Sequence, residues 1–394
     1  MTNPRVAEAI ALMQDFAERT GLSTGRTPRR YLWTDAFAVC NYLGLAQATG
    51  EQRYTALALR LVDQVHHTLG RHRDDDPRSG WLSGLNTHES ELHPTRGGLR
   101  IGKRQPERGP DQAFDERLEW DRDGQYFHYL TKWMHALDQV THATRQPGFN
   151  LWARELAKTA FDAFTYLPSP GGPRRMVWKM SIDLTRALVP AMGQHDPLDG
   201  YITCLELLST AAALPVALVG PKLVKEISQF EEMLENGEWL TADPLGIGGL
   251  LSDAYRADAL LRLDSMSDHH LLEILLATAL AGLQQYADSG ELRRPAEYRP
   301  AFRELGLAIG LHAVESLRQT ADSETTHPAT RAEVRALLQA LLQYVSMADE
   351  IESFWRNPEH RSTTTWTEHR DINEVMLATS LAPQGFLFKN ALTS

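Results

Sequence analysis

Apolar residues recur at three- and four-residue spacing along nearly the whole chain, and strand-like alternation is almost absent, so the pattern predicts a helical protein. The periodic runs lie at roughly Pro4 to Glu18, Leu32 to Thr49, Gln52 to Gly70, Asp123 to Thr144, Phe149 to Tyr166, Met176 to Met192 and Leu198 to Ala212. They continue at roughly Pro221 to Glu235, Ile247 to Leu263, Asp268 to Ser289, Pro300 to Thr320, Pro328 to Val345 and His369 to Leu381. Thr49 to Gln52, Arg145 to Gly148 and Gly193 to Pro197 read as tight helix-to-helix turns. His72 to Arg122, Pro168 to Arg175, Gly237 to Gly246, Gly290 to Arg299 and Asn357 to Glu368 are longer or richer in Gly, Pro and aromatic residues. Short turns on one face leave the elaborate connectors on the other, which is the usual way a helical scaffold carries a site.

The runs starting at Leu32, Asp123, Met176, Ile247, Pro300 and His369 are apolar nearly all round, with polar exceptions near their starts. Helices of that kind are buried, and the exceptions then face a cavity at their N-terminal ends. Gln52 to Gly70 and its counterparts carry a one-sided stripe, as an outer layer does. The expectation is a single all-α domain over residues 1–394, built from about six helical hairpins closed into a ring. Pro4 to Glu18 closes that ring, Pro221 to Glu235 is an extra helix, and residues 72–122 form an ordered cover over the mouth. Trp81, Leu82, Leu85, Leu99, Ile101 and Phe114 give this cover apolar residues to pack with.

Two stretches carry a resemblance. Tyr31-Leu32-Trp33-Thr34-Asp35-Ala36-Phe37 is similar to the Trp-and-Asp opening of an inner helix in six-hairpin, or (α/α)6 toroid, glycosidases, and Asp123-Gly124-Gln125-Tyr126-Phe127-His128-Tyr129 looks like another such start. The chain in this sense resembles the toroid enzymes of carbohydrate chemistry, which include the N-acylglucosamine 2-epimerases. The resemblance implies a small-molecule carbohydrate at the elaborate mouth; fold alone does not fix the reaction.

Charge and composition narrow the partners. The 51 acidic and 40 basic side chains give a net charge of −11, which repels phosphate backbones and argues against nucleic acid. The basic residues between Arg96 and Arg108 read either as a solvated loop or as a contact for an anionic or polyhydroxyl ligand. The two cysteines, Cys40 and Cys204, sit in apolar helical patterns and suit neither a disulfide framework nor a zinc site. The mixed polarity of Met1 to Thr20 is unlike a signal peptide, and no apolar stretch reaches membrane-spanning length, so a cytoplasmic location is expected. Oligomeric state is not legible.

The candidate chemistry falls at the helix starts. Asp35 follows Tyr31 and Trp33, and a flat aromatic face beside a carboxylate suits a sugar ring; Asp35 also suits the positive end of its own helix. Asp123 reads as a helix cap, whereas Tyr126 and His128 read as pocket lining or, for His128, a hydrogen-bonded core residue. Trp178, Lys179 and Asp183 follow, with Lys179 and Asp183 on one helical face. Trp366, Glu368, His369, Arg370 and Asp371 form the densest polar aromatic cluster. No HExxH pattern occurs; His88, Glu89, Glu91 and His93 are the alternative metal ligands, but no metal and no cofactor is expected. The leading expectation is a glycoside hydrolase with two carboxylates roughly 6.5 to 9.5 Å apart: Asp35 and Asp371, with Asp183 and Glu368 in reserve. Tyr31, Trp33, Trp81, Tyr126, Trp178, Lys179, Trp366 and Arg370 would bind substrate. Alternatively, His128 and His369 serve as the bases of a sugar epimerase or isomerase, or the protein binds sugar without catalysis.

Overall fold

A computed structural model of the protein describes residues 3–169, 171–191, 193–216, 218–235, 237–321 and 328–387, side chains between 320 and 331 excepted. The chain is all-α, with a few very short strands. It divides into two compact units, one of Met1–Phe16, Gln47–Gly50 and Glu238–Phe388 and the other chiefly of Ala17–Ala46 and Glu51–Gly237. The first two helices are α1, Pro4–Arg19, and α2, Leu32–Thr49. Every residue of α2 from Leu32 to Leu45 is buried, as expected for a helix without a polar face.

The unit built around Glu51–Gly237 continues with α3, Gln52–Leu69, α4, Thr87–Leu92, and α5, Glu116–Asp121. After β1, Gln125–Tyr126, come the paired helices α6, Phe127–Thr144, and α7, Pro147–Phe164. Four short strands follow: β2, Thr165–Tyr166; β3, Arg175–Met176; β4, Lys179–Met180; and β5, Ala187–Val189. Helices α8, Asp196–Ala213, and α9, Val224–Leu234, complete this unit. In α3 the buried residues Tyr54, Ala58, Leu61, Val62, Val65 and Leu69 form the one-sided stripe read from the sequence.

The other unit holds α10, Pro244–Arg262, α11, His269–Ser289, α12, Ala301–Ala321, α13, Pro328–Leu341, α14, Ser346–Arg356, α15, Pro358–Arg361, α16, Thr364–Thr367, α17, Arg370–Leu381, and α18, Gln384–Leu387. Helices α10 and α12 cross backbone to backbone. A Cβ on Gly248 would stand 2.1 Å from the Gly306 carbonyl oxygen, and one on Gly310 would stand 2.7 Å from Gly248 Cα. Because the obstacle is main chain, no side chain can turn aside. Gly248→Ala is therefore expected to lower unfolding stability by about 1–3 kcal/mol, as overpacking does, measured by urea denaturation; an unchanged midpoint would contradict the close crossing.

Three features depart from the sequence reading. The run from Met176 is not a helix: β4 pairs antiparallel with both β1 and β5, and β2 pairs with β3. The residue at its predicted end, Met192, lies outside the described residues. Asp123 caps no helix; its carboxylate binds the amides of Gly102 at 2.9 Å and Gly124 at 3.1 Å, and Arg100 at 3.0 Å. The stretch 72–122 is ordered by packing through Trp81, Leu99 and Ile101. Leu85 and Phe114, expected to share in that packing, are exposed.

Candidate functional site

One cluster of polar and aromatic groups lies in the unit around Glu51–Gly237, and it starts from β1. Pairing of Gln125 with Met180 and of Tyr126 with Lys179 fixes where α6 begins. Gln125 strengthens this anchor, accepting from Leu99 N at 2.8 Å and donating to the carbonyls of Gly97 and Ile182. The next turn of α6 then presents His128, Tyr129, Thr131 and Lys132. Around the His128 ring stand Tyr126 at 5.3 Å and Trp178 at 5.9 Å, both stacked, and Tyr129 and Trp33 edge-on at 4.9 and 6.0 Å. The Tyr31 hydroxyl meets that of Tyr129 at 2.8 Å.

Helix α8 contributes two acids from its first turn. Asp196 and Asp199 are three residues apart, so they share a face, and Pro197 fits a position where no amide donor is required. Asp199 accepts from Lys132 Nζ at 2.9 Å and from the Thr131 hydroxyl at 2.5 Å, which makes it an ion-paired carboxylate. Asp196 has no such support, and its Oδ2 is buried without a hydrogen-bond partner. Burial and then the neighbouring Asp199 charge push its pKa up to about 7, against the pull of Lys132. Burial and the Lys132 charge move His128 the other way, down to about 4. A quarter of the His128 side chain remains exposed, but its Nδ1 is buried and has no partner. Nδ1 lies 3.8 Å from Asp196 Oδ1. That separation is too long for a hydrogen bond, and both shifts favour neutral forms, so the contact is not an ion pair. Trp33 Nε1 is a third buried polar atom without a partner.

The residues expected from sequence separate into those this cluster gathers and those it does not. Tyr31, Trp33, Tyr126, His128 and Trp178 come together. Asp35 does not face them as a free acid: it is buried against Arg30 at 3.3 Å and accepts the Tyr31 amide at 2.8 Å. Lys179 and Asp183 share no helical face, because strand pairing displaces the helix. Lys179 is fully buried and donates to the Glu119 carboxylate at 3.0 Å and to the carbonyls of Glu119 and Arg122 at 2.7 and 2.8 Å. Asp183 pairs with Arg78 at 2.6 Å. Burial drives its carboxyl upward, but the Ser181 and Thr185 hydroxyls, the Thr185 amide and Arg78 outweigh that and hold it below the usual range. Trp81 is buried edge-on to His67.

The remaining candidates belong to the other unit. Trp366 is buried and stacked on Trp355 at 5.5 Å, leaving no face for a ligand. Arg370 bridges Asp15 and Glu374 at 2.8 and 2.7 Å. Glu368 and His369 are exposed, and Asp371 is half-buried in the first turn of α17. The alternative metal ligands disperse: Glu91 meets His67, and His93 meets Glu155. Within the basic stretch Arg96, Arg100 and Arg108 pair with Glu155, Asp123 and Glu119. Lys103 lies 5.5 Å over the Tyr31 ring, with burial holding its pKa below the ordinary value.

Asp196 and Asp199 escaped the sequence reading because Gly193 to Pro197 looked like a turn. The available signal was an acid pair three residues apart flanking a first-turn proline.

No family model matches the chain, and no curated protein does. Among solved structures it is similar to the GH76 alpha-mannanase of Bacteroides thetaiotaomicron, with a TM-score of 0.54 and 9% identity over 97% of this chain and 96% of that one. At this identity the likeness is one of fold alone. Among the described residues no helix is long and apolar enough to cross a membrane.

Proposed function

We propose that the protein is a carbohydrate-active enzyme that hydrolyses a glycosidic bond, with Asp196 as the general acid. The observation that carries this reading is the pair of carboxyl groups whose surroundings separate their roles. Asp196 is raised to about 7 and has an unpartnered oxygen, while Asp199 is held as an anion by Lys132. A carboxyl raised toward neutrality beside an ion-paired carboxylate is the usual mark of an acid and its charged partner. Asp196 gives its proton to the leaving-group oxygen as the bond from that oxygen to the anomeric carbon breaks. The fixed charge of Asp199 favours the oxocarbenium-like transition state. Water adds to the anomeric carbon, and the proton it releases restores Asp196. Tyr129, half-buried, offers a ring face to the sugar, and His128, neutral above about pH 4, offers a hydrogen bond. Likeness in fold to a mannanase agrees with a glycosidic bond as the target.

The acid must be protonated to act, and its raised pKa lies near neutrality. kcat/KM is therefore expected to fall with a midpoint near pH 7 as pH rises. Release of reducing sugar from a panel of disaccharides, followed from pH 5 to 9, tests both claims, and activity undiminished at pH 9 would remove Asp196 as the acid.

One observation favours a second reading. A neutral imidazole with an unpartnered Nδ1 is also suited to take a proton next to a sugar carbonyl, as an isomerase requires. Deuterium uptake from solvent into a monosaccharide, without release of reducing sugar, would replace hydrolysis by isomerisation.

A further inference from the structure

The basic stretch from Arg96 to Arg108 holds one half-buried cation to which the fold gives no counter-charge. Arg96, Arg100 and Arg108 are each engaged by a buried carboxylate, and Arg104 is exposed. Lys103 is half-buried, yet among the described residues no carboxylate pairs with its ammonium and no hydrogen bond engages it. What it meets is the Tyr31 ring at 5.5 Å, a cation–π distance. Burial works against this charge, and the more distant Asp121 and Asp123 offset that only in part. Asp123 is already shared by Arg73, Arg100 and the amides of Gly102 and Gly124, and Asp121 is exposed. Nor does Tyr31 supply an anion, because burial holds its hydroxyl above the ordinary pKa. A partly desolvated cation without a counter-charge is a cost to the fold, and such groups concentrate where a ligand supplies the missing charge.

The main chain fixes where this ammonium stands. The Ile101 carbonyl accepts from Leu32 N at 3.0 Å, the Lys103 amide donates to Asp123 at 3.3 Å, and the Lys103 carbonyl accepts from Arg73 at 2.6 Å. Gly102 has a φ of +93°, and a Cβ there would stand 2.3 Å from the Arg30 carbonyl oxygen. The turn is thus seated directly against the residue before Tyr31. Tyr31 meets the Tyr129 hydroxyl, and Tyr129 stands edge-on to His128. Lys103, Tyr31, Tyr129 and His128 are all half-buried, whereas Trp33 and Tyr126 are buried, so the exposure that the cluster retains belongs to the row that Lys103 ends.

The charge to be met is a single one. The ammonium is a point charge, and the guanidinium forks of Arg100 and Arg108 are committed to Asp123 and Glu119. A carboxylate matches it, while a phosphate with a charge of about −1.5 to −2 near neutrality would be left partly unmet.

We infer that Lys103 holds the carboxylate of an acidic sugar, so that the ligand class is a uronic acid or a glycoside of one. The inference rests on the carbohydrate reading above and is independent of the bond on which Asp196 acts.

The test compares glucuronate, galacturonate and mannuronate with glucose, galactose and mannose by isothermal titration calorimetry. At least one uronate is expected to bind ten-fold or more tightly than its neutral parent, with an advantage that shrinks as salt is added. Lys103→Met should bring that uronate down to the affinity of the neutral sugar, and Lys103→Arg should keep most of the advantage. Because the ammonium has no partner in the fold, Lys103→Met should melt no lower than wild type, whereas loss of a structural lysine would lower the melt. Equal affinity of uronates and neutral sugars overturns the inference, as does an advantage that survives Lys103→Met or the absence of saturable binding by any of these sugars. Glucose 6-phosphate or mannose 6-phosphate bound more tightly than every uronate, and lost in Lys103→Met, would overturn the carboxylate assignment. The two readings fail separately. A uronate held through Lys103 by a protein that releases no reducing sugar from any glycoside would leave Lys103 assigned and remove the hydrolase; neutral glycosides hydrolysed by a protein that binds uronates no better would do the reverse.

Discussion

Asp196→Asn is expected to cut turnover of a glycoside with a poor leaving group by about 10²- to 10⁴-fold, the usual contribution of a positioned general acid. The same variant should lose much less on a 4-nitrophenyl glycoside, whose leaving group departs without a proton. The contrast separates loss of the acid from general damage to the site. Stability supplies a second control. Because the folded protein holds the Asp196 pKa at about 7, above its ordinary 3.8, ionising it opposes folding, and the wild-type protein loses stability through this group as pH rises from about 4 to about 7. An Asn cannot ionise, so the melting temperature of the variant relative to wild type should climb across that window. Wild-type turnover in Asp196→Asn on both kinds of substrate would remove this residue from the chemistry.

Lys179→Ala is expected to destabilise the fold by about 3–5 kcal/mol, the cost of breaking a buried ion pair from one side. The three hydrogens of its ammonium meet three oxygens: one from the Glu119 carboxylate and the carbonyls of Glu119 and Arg122. Removing the ammonium leaves both carbonyls unmet in a place where Lys179 and Glu119 are almost wholly out of water. Arg108 still reaches Glu119, which sets the expectation at the lower part of the range. Lys179→Met separates loss of charge from loss of packing and should recover only the packing share. Equilibrium urea unfolding measures both variants, and a loss below about 1 kcal/mol for Lys179→Ala would mean that the buried pair contributes little to the fold.

These two residues also show where sequence reasoning reached and where it stopped. Period alone located α2, α3, α6 and α7 to within a few residues, because each buries a face wide enough to dominate the local pattern. His128 and Tyr126 were legible because a string of rings at a helix start is unusual. Lys179 reads as helical in the sequence, yet the β-branched Val177 and Ile182 flank its strand and Val189 ends the neighbouring one. Strands β4 and β5 are only two and three residues long, too short for alternation to outweigh the helical spacing around them. Asp196 was hidden by its neighbours, since glycine, histidine and proline within five residues read as a turn. Asp35 shows the opposite error: the motif was conspicuous, but its carboxylate is held by Arg30, five residues earlier, and sequence alone cannot weigh that partner against a ligand. Charge pairing over long separations, such as Lys132 with Asp199 or Arg78 with Asp183, depends on the finished fold and has no local signature.

The grip of one ammonium on the main chain at both Glu119 and Arg122 has a kinetic consequence. Trp120 sits between those two anchors and, with Phe114 and Trp178, lines a cleft of about 400 Å³, so this wall is fastened to β4 and moves with it. Any small molecule that docked there would meet a surface already assembled, with little loop entropy left to surrender. Association should then be governed by encounter and orientation, and selectivity among guests should reside in how slowly each one leaves.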